Sequence, residues 1–445
     1  MLQPGASRLR RFGAQLARGD QPLFAMFRAV GTQVLIVAMN LVTGIMTARL
    51  LGPEGRGTYF AITLWPPLLA MLATAGLSSA VVVRMRRGAQ STDAVAGAAL
   101  LMGIAGSVVM IVLGAALLPW FLRSYTAGTV LLAQLCLAAV VVNVTQIVIK
   151  QSFAGVGQYW YCNLTHLLPQ LFHLLALLAI MVLATVTTRA AALALFGAGA
   201  VAVAFVLPAF LRTLRPRFSA LGAELREMRS YSTRAAPTGL VTAFILHADR
   251  LVLIPLLSAR ELGFYAVAFS FSRVVQFVQP ALQSILLSHM SGQHEDDSRR
   301  VHDHASRILI CGLLALCVAL WFVGEALLRL FYGAQFTAGL TIFRLLVVEA
   351  SLGVLTQVSV QLYLARDRPG VVSAIQGVSL AILLALLLIL VPRFGGVGAA
   401  AAMLAAGVVR WLALLGGIRA VLKLPLPRLY PAADDWHYLR SRLRP

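Results

Sequence analysis

Long apolar stretches alternate with short polar connections along most of the chain. Twelve of these stretches are long enough for a helix that crosses the hydrocarbon core of a bilayer, which needs roughly 20 apolar residues. None shows the strict apolar–polar alternation of transmembrane strands. The pattern therefore predicts an all-α polytopic membrane protein with twelve transmembrane helices. These are predicted at residues 23–49, 58–83, 94–118, 127–149, 161–186, 190–211, 235–257, 261–288, 305–328, 338–364, 369–391 and 395–420.

The composition agrees with a lipid environment. Hydrophobic residues make up 60% of the 445 residues, charged residues make up 12%, and the mean hydropathy is +0.85. Soluble domains contain about 25% charged residues. A chain this apolar could not cover a water-facing surface with polar groups, so lipid must be its main solvent.

The formal net charge of +21 would suggest nucleic-acid binding in a soluble protein. Here, however, Lys and Arg cluster between the apolar stretches, where they set the orientation of a membrane protein. With the N-terminus in the cytoplasm, the connections on that side contain 25 Lys and Arg residues, against 7 on the other side. We therefore expect cytoplasmic termini, membrane lipids as partners and no nucleic acid.

The chain contains a weak internal repeat. The segment Leu51–Ile62 (LGPEGRGTYFAI) corresponds to Leu257–Ala268 (LSARELGFYAVA), and each joins the first two helices of a six-helix half. A second pair of similar segments is Thr126–Gly128 and Thr337–Gly339. Both halves then enter the membrane from the same side, so a pseudo-twofold axis along the membrane normal should relate two six-helix lobes. The loop-motif residues are Gly52, Glu54, Gly57, Tyr59, Gly263 and Tyr265.

Two cytoplasmic connections are longer than the rest. Residues 212–234 carry alternating charges that predict a short amphipathic surface helix. Residues 289–304 are predicted as a solvated polar loop, because the spacing of His302, His304 and the acids around them fits no defined metal site. The predicted domains are a basic cytoplasmic arm (1–22), the N-terminal lobe (23–220), the C-terminal lobe (221–420) and a cytoplasmic tail (421–445).

No metal and no cofactor are predicted. The four cysteines lie in or beside apolar stretches and form no CxxC motif, so we interpret them as small core residues. They are Cys136, Cys162, Cys311 and Cys317.

Several charged residues fall deep inside predicted helices. A charged side chain at the centre of the bilayer costs roughly 2.5–3.5 kcal/mol, so it should face a watery cavity or a partner. Arg28, Arg344 and Arg410 lie nearer helix ends, from which they could reach the headgroup region. The deep residues are Asp249, Arg250, Arg273 and Glu349.

Polar residues share one face on the predicted first and eighth helices. The first helix places Arg28 and Asn40 on such a face, and the eighth does so with Arg273 and Gln276. Hydrogen bonds between helices would explain these stripes, but a polar cavity between the two lobes explains the arginines as well. Intramembrane ion pairs without a cavity are the alternative for the deep charges.

A cationic cavity favours an anionic ligand, because Arg pairs with phosphate oxygens in a fork geometry. A diphosphate headgroup with attached sugars would use such cations together with polar groups for the hydroxyls. Asp249 could neutralise an arginine in the empty site, or could titrate and couple transport to protons; Glu349 is a second candidate for ion coupling.

The stretch LGPEGRGTYFAITLWPPLLAMLATAGLSSAV, residues 51–81, resembles polysaccharide flippases of the Wzx type, in the multidrug/oligosaccharidyl-lipid/polysaccharide (MOP) superfamily. Asp249-Arg250 followed by Glu261–Tyr265, then Leu330–Gly333 and Pro392–Ala399, resemble the family in the same order. The resemblance covers about residues 24–420. It implies a V-shaped pair of six-helix lobes in a bacterial inner membrane.

The resemblance also implies a substrate. This would be an undecaprenyl-diphosphate-linked oligosaccharide, the repeat unit of an O-antigen or exopolysaccharide, flipped to the outer leaflet beside glycosyltransferases and a polysaccharide polymerase. Related lipid II flippases use cavity arginines on the first and eighth helices, for which Arg28, Arg49 and Arg273 are the counterparts here. Lipid II flippases often carry two further C-terminal helices, which this chain lacks.

Two other functions compete with flipping. A cation-coupled small-molecule or drug exporter of the same superfamily would also have twelve helices and intramembrane carboxylates, but a cationic drug prefers an acidic cavity. A membrane glycan polymerase generally needs a sizeable outside loop with catalytic groups, and every outside connection predicted here is short. We therefore expect a transporter and not an enzyme.

Overall fold

The computed structural model describes residues 22–86, 92–218, 221–279, 295–366 and 368–424, and these residues form helices and turns without a β-strand. Two short 3-10 turns lie at Arg273–Val278 and Ala334–Gly339. The α-helices are α1 Pro22–Thr63, α2 Trp65–Ala73, α3 Leu77–Arg86, α4 Thr92–Phe121, α5 Ala127–Cys136, α6 Ala139–Gly155, α7 Tyr159–Leu183, α8 Thr188–Leu214, α9 Gly222–Leu256, α10 Ala259–Ser272, α11 Glu295–Tyr332, α12 Leu340–Ala365 and α13 Pro369–Ala420.

Nine stretches of helix in the described ranges are long and apolar enough to cross a membrane. Their outer faces expose large apolar side chains, as lipid-facing surfaces do; on α4, Val108, Val109 and Val112 are 54–64% exposed. Lipid contact removes the penalty that such a surface would carry in water. The predicted class, an all-α polytopic membrane protein, is confirmed.

The two longest of these stretches fold back on themselves at a glycine. In α13, Gly395 has a φ of 54°, and the Ser379 hydroxyl donates to the carbonyl oxygen of Ala406 at 3.1 Å, which places the two arms of the helix side by side. In α1, Gly52 has a φ of 67°, and Arg56 Nη1 lies 2.8 Å from Thr47 Oγ1 across the bend. Each stretch is therefore a helical hairpin, and the predicted breaks near residues 50 and 394 are confirmed.

The repeat motif forms a contact between the two halves of the chain. A Cβ atom on Gly57 would overlap the carbonyl oxygen of Ala259, and a Cβ atom on Gly263 would overlap that of Pro53. Small residues allow helix backbones to approach this closely in membranes. We call this contact, made by repeat-related residues of α1 and α10, the glycine seam.

Two connections differ from their prediction. The segment predicted as a separate amphipathic surface helix is the first part of α9, which begins at Gly222 and continues unbroken into the membrane stretch. Its Glu224 pairs with Arg84 of α3, so it packs on the protein and not on a lipid surface. Residues 295–304, predicted as loop, are the start of α11; acids at 295–297 favour a helix N-terminus.

The predicted lobe boundary at 220 and 221 stays a prediction, since residues 219–220 lie outside the described ranges. The predicted basic arm lies outside them up to residue 21, as does the predicted tail from residue 425. His289 and His294 of the predicted polar loop also lie outside them. All four cysteines are free thiols.

Candidate functional site

A cavity of about 580 Å³ lies among α9, α10, the 3-10 turn that follows α10, α12 and both arms of α13. We call it the polar cavity. Among the residues that the structure describes, three arginines, two carboxylates and four glutamines line it, together with hydroxyl groups and apolar side chains. Its charged side chains are Asp249, Arg250, Arg273, Glu349 and Arg410.

Arg273 and Glu349 form an ion pair across the cavity. Arg273 Nη2 lies 3.0 Å from Glu349 Oε2, and their side chains are 24% and 7% exposed. The guanidinium of Arg273 also stacks over the Phe269 ring at 4.3 Å. A buried ion pair must offset the desolvation of both charges, and breaking it by removing one partner leaves an uncompensated charge. The pair therefore holds Arg273 in one orientation.

Asp249 is held by a tyrosine from the repeat motif. Its Oδ2 accepts a hydrogen bond of 2.9 Å from the hydroxyl of Tyr265, which is fully buried on α10. The same hydroxyl lies 2.9 Å from Met403 Sδ on α13. This places a carboxylate, itself 5% exposed, at the junction of three helices.

Arg250 lies between two aromatic rings. Its guanidinium carbon is 5.0 Å from the centre of the Phe269 ring and 5.5 Å from that of Phe60. Phe269 thus faces two cations, Arg250 and Arg273, while Phe60 contacts Arg250 from α1 in the first half. Cation–π contacts of this kind stabilise a guanidinium where water is scarce.

The structure brings together five of the predicted site residues. Asp249, Arg250, Arg273, Gln276 and Glu349 all line the polar cavity, although they come from separate segments of the chain. Depth within apolar helices identified the four charged residues in the sequence, and the polar face of the predicted eighth helix identified Gln276. Their roles toward a ligand stay predictions.

The other predicted site residues lie elsewhere. Arg49 donates hydrogen bonds to the backbone oxygens of Phe331, at 2.7 Å, and of Leu330, at the end of α11. Asn40 is exposed and is not among the residues that line the cavity. The side chain of Arg28 lies outside the described part of the structure.

The position of the cavity also differs from the prediction, which placed it between the two lobes. The described residues that line it lie between Thr242 and Leu414, in the second half of the chain. The glycine seam explains this, because α1 and α10 pack backbone to backbone where an opening between the halves was expected.

The loop-motif residues serve the fold. Gly52 forms the bend of α1, Gly57 and Gly263 form the glycine seam, and Tyr265 binds Asp249. Tyr59 is buried with the Arg56 guanidinium 5.3 Å from its ring centre. The remaining motif residue, Glu54, is exposed.

Sequence reasoning missed Arg410 as a cavity residue. It was interpreted as lying near a helix end, although the predicted helix 395–420 begins at Gly395, as the second arm of α13 does, and places Arg410 about 15 residues from that start. The prediction considered its distance from the helix end and not its distance from this start, which is similar to that of the other cavity charges. Also missed were Thr356, Gln357, Gln376 and Ser379.

The fold is that of a multi-pass membrane protein with a polar cavity among its helices. The model of the family described as "Polysaccharide biosynthesis protein" matches residues 46–340, more than half of the chain, so the protein belongs to that family. This match confirms the expected membership of a polysaccharide family, and several solved structures share the fold. Comparison with curated protein sequences finds no match.

Three of these solved structures illustrate the shared fold. "Lipid II flippase MurJ, inward closed conformation" superposes with a TM-score of 0.76 at 12% identity, covering 92% of this chain and 89% of that chain. An inward-facing multidrug resistance MATE family transporter of the MOP superfamily gives 0.67 at 17% identity, covering 88% and 96%. The MATE multidrug transporter DinF-BH gives 0.63 at 18%, covering 91% and 98%.

Proposed function

We propose that the protein flips an undecaprenyl-diphosphate-linked oligosaccharide from the cytoplasmic to the outer leaflet of a bacterial inner membrane by alternating access. The observation that carries this proposal is the polar cavity, in which three arginines face two carboxylates inside a transporter fold. The net positive charge suits a diphosphate, which guanidinium groups bind in a fork geometry. Membership of a polysaccharide biosynthesis family favours a glycan as the attached group.

The neutral polar groups suit the sugar part of such a substrate. Glutamine amides both donate and accept hydrogen bonds, as sugar hydroxyls do. Asp249 and Glu349 are the proposed coupling sites, because each is a buried carboxylate with one partner, Tyr265 for Asp249 and Arg273 for Glu349, that could be exchanged when an anion or a proton arrives. Glycosyltransferases would supply the substrate and a polysaccharide polymerase would consume it. Both termini would be cytoplasmic.

A cation-coupled exporter of small molecules is the second candidate, favoured by the similarity to MATE transporters and by the buried carboxylates. A lipid II flippase is a third, favoured by the similarity to MurJ. The charge of the cavity opposes the exporter, since an organic cation would lie beside three guanidinium groups.

The test is the appearance of radiolabelled lipid-linked oligosaccharide in the outer leaflet of spheroplasts from cells deleted for this gene. Supplying the native protein should restore this transport, and the Arg273→Ala variant should transport the labelled lipid at least tenfold more slowly. The matched control is Arg123→Ala, which removes an exposed arginine outside the polar cavity and should restore it fully. Restored efflux of a cationic dye, with no change in the labelled lipid, would contradict the proposal and identify an exporter.

A further inference from the structure

The three arginines of the polar cavity differ in what already holds them. Arg273 is paired with Glu349 at 3.0 Å, and Arg250 lies between the rings of Phe60 and Phe269. Arg410, by contrast, has no hydrogen bond, ion pair or ring contact with any of the residues that the structure describes, and its Nε is buried. It is the cavity cation that remains available for a ligand.

The contacts between α13 and α12 show which part of α12 lies beside Arg410. On one side of it, a Cβ atom on Gly407 would lie 3.8 Å from Glu349 Cγ and 3.6 Å from Leu352 Cδ2. On the other side, the Tyr363 hydroxyl donates to the carbonyl oxygen of Leu414 at 2.6 Å. Arg410 therefore lies level with the part of α12 between residues 352 and 363, about one turn away from the ion pair.

Neutral polar groups lie beside Arg410 at this position along the helices. Thr356 and Gln357 line the cavity from α12, and Gln376 does so from the first arm of α13, one turn before Ser379. Since Ser379 is hydrogen-bonded to Ala406, Gln376 lies close to the level of Arg410. The nearest carboxylate, Glu349, is already engaged by Arg273. An unpaired guanidinium in such surroundings carries a desolvation penalty that a bound anion would relieve.

We propose that Arg410 is the principal contact for the anionic group of the ligand, an isoprenoid-linked diphosphate, and that the amides of Gln357 and Gln376 bind the polar groups next to it. This assignment rests on the proposed function and specifies how the cavity performs it. Arg273, neutralised by Glu349, then contributes less to the affinity for the anion than Arg410 does. Arg's planar fork matches phosphate oxygens better than a lysine ammonium would.

The test is binding of geranylgeranyl diphosphate to the purified full-length protein in nanodiscs, with geranylgeraniol and inorganic diphosphate as separate probes. Arg410→Gln should weaken binding of the isoprenoid diphosphate at least tenfold and leave binding of the alcohol unchanged. The matched control is Arg344→Gln, another intramembrane arginine, which stacks on Trp321 at 4.9 Å outside the cavity and should bind as the native protein does. Competition by inorganic diphosphate alone would identify a free anion as the ligand and contradict an isoprenoid-linked one.

The outcomes separate this inference from the proposed function. Equal affinity of the native protein and Arg410→Gln, or a greater loss in Arg273→Gln, would overturn the assignment to Arg410 and leave the flippase standing. Absence of isoprenoid diphosphate binding by the native protein would instead contradict the proposed function. If Arg410→Gln does not fold, as judged by thermal unfolding, Arg410→Lys decides: a fall of at least threefold supports the fork contact, and unchanged affinity contradicts it.

Discussion

Glu349 is the side chain that sets the charge balance of the polar cavity. It is 6% exposed, lies 3.0 Å from Arg273, and is one of two carboxylates facing three guanidinium groups. Removing the carboxylate alone therefore raises the net charge of the cavity and releases Arg273 for a ligand.

We expect Glu349→Gln to bind geranylgeranyl diphosphate about tenfold more tightly, a gain of about 1.4 kcal/mol, because a second arginine becomes available. Transport of the lipid-linked glycan should become slower, since release of the anion is then harder. Titration in nanodiscs and the outer-leaflet assay measure the two effects. Asp249→Asn, which leaves the Arg273 pair intact, is the comparison for affinity. Weaker binding by Glu349→Gln would show that the carboxylate itself contacts the ligand.

The sequence predicted cavity residues best where the cost of burial was greatest. Asp249, Arg250, Arg273 and Glu349 could be identified because a mid-helix charge in an apolar stretch requires a partner or water. Gln357 and Gln376 could not be, since amides occur on many membrane helices as contacts between helices. Arg49 was assigned to the cavity by resemblance, but it binds backbone oxygens at the end of α11. These partners are more than 280 positions away in the sequence, so no local pattern indicates the contact.

At the scale of helices, the glycine seam joins α1 to α10 through backbone contact. Neither side of the seam has space for a β-carbon at the repeat-related glycines. The helices must therefore separate if either position acquires a side chain. The cation–π contact between Phe60 and Arg250 would then be lost.

We expect Gly57→Ala to reduce transport at least tenfold while the protein still reaches the membrane, because the seam cannot close. The matched control is Gly197→Ala on α8, where an added Cβ meets nothing within 4 Å and the substitution should be neutral or slightly stabilising. Labelling of a cysteine introduced at Phe60 by a membrane-impermeant maleimide should rise in Gly57→Ala. Unchanged labelling together with full transport would rule out the seam as a closing contact.

Helix positions followed from the apolar pattern more accurately than helix ends did. The stretches predicted at 94–118 and 190–211 are Thr92–Phe121 and Thr188–Leu214 in the structure. The start of α9 lies thirteen residues before the predicted 235, because polar residues can continue a helix once a partner such as Arg84 holds them. Hydropathy marks where a helix enters lipid and not where its hydrogen bonding begins.

At the scale of the whole molecule, separate contacts join the halves at two ends. The glycine seam and the Arg49 hydrogen bonds lie at the bend of α1 and the end of α11, which are predicted to face outward. At the predicted cytoplasmic end, Arg84 donates to both carboxylate oxygens of Glu224, at 2.9 and 3.0 Å, and also pairs with Glu227. Contacts between the two halves are therefore present at both predicted ends of the helices.

We expect Arg84→Glu to open the cytoplasmic end, because it replaces two attractive pairs with repulsion. A cysteine introduced at Gln357 should then be labelled roughly fivefold faster from that side, corresponding to about 1 kcal/mol, the upper range for partly exposed pairs. The double variant Arg84→Glu with Glu224→Arg should return the rate toward the native value. Failure of the single variant to change labelling would mean that this ion pair does not hold the entrance.

Gly57 and Gly263 stand at equivalent places in the two repeats, and each lies against the backbone beside the other. A contact of this kind is isologous, like that across the axis of a twofold homodimer, where one patch meets its own copy. Two copies of a six-helix polypeptide with a single repeat could thus form a homodimer through the same exposed backbone at this glycine. Fusion of two such genes would keep this contact between the halves of one chain.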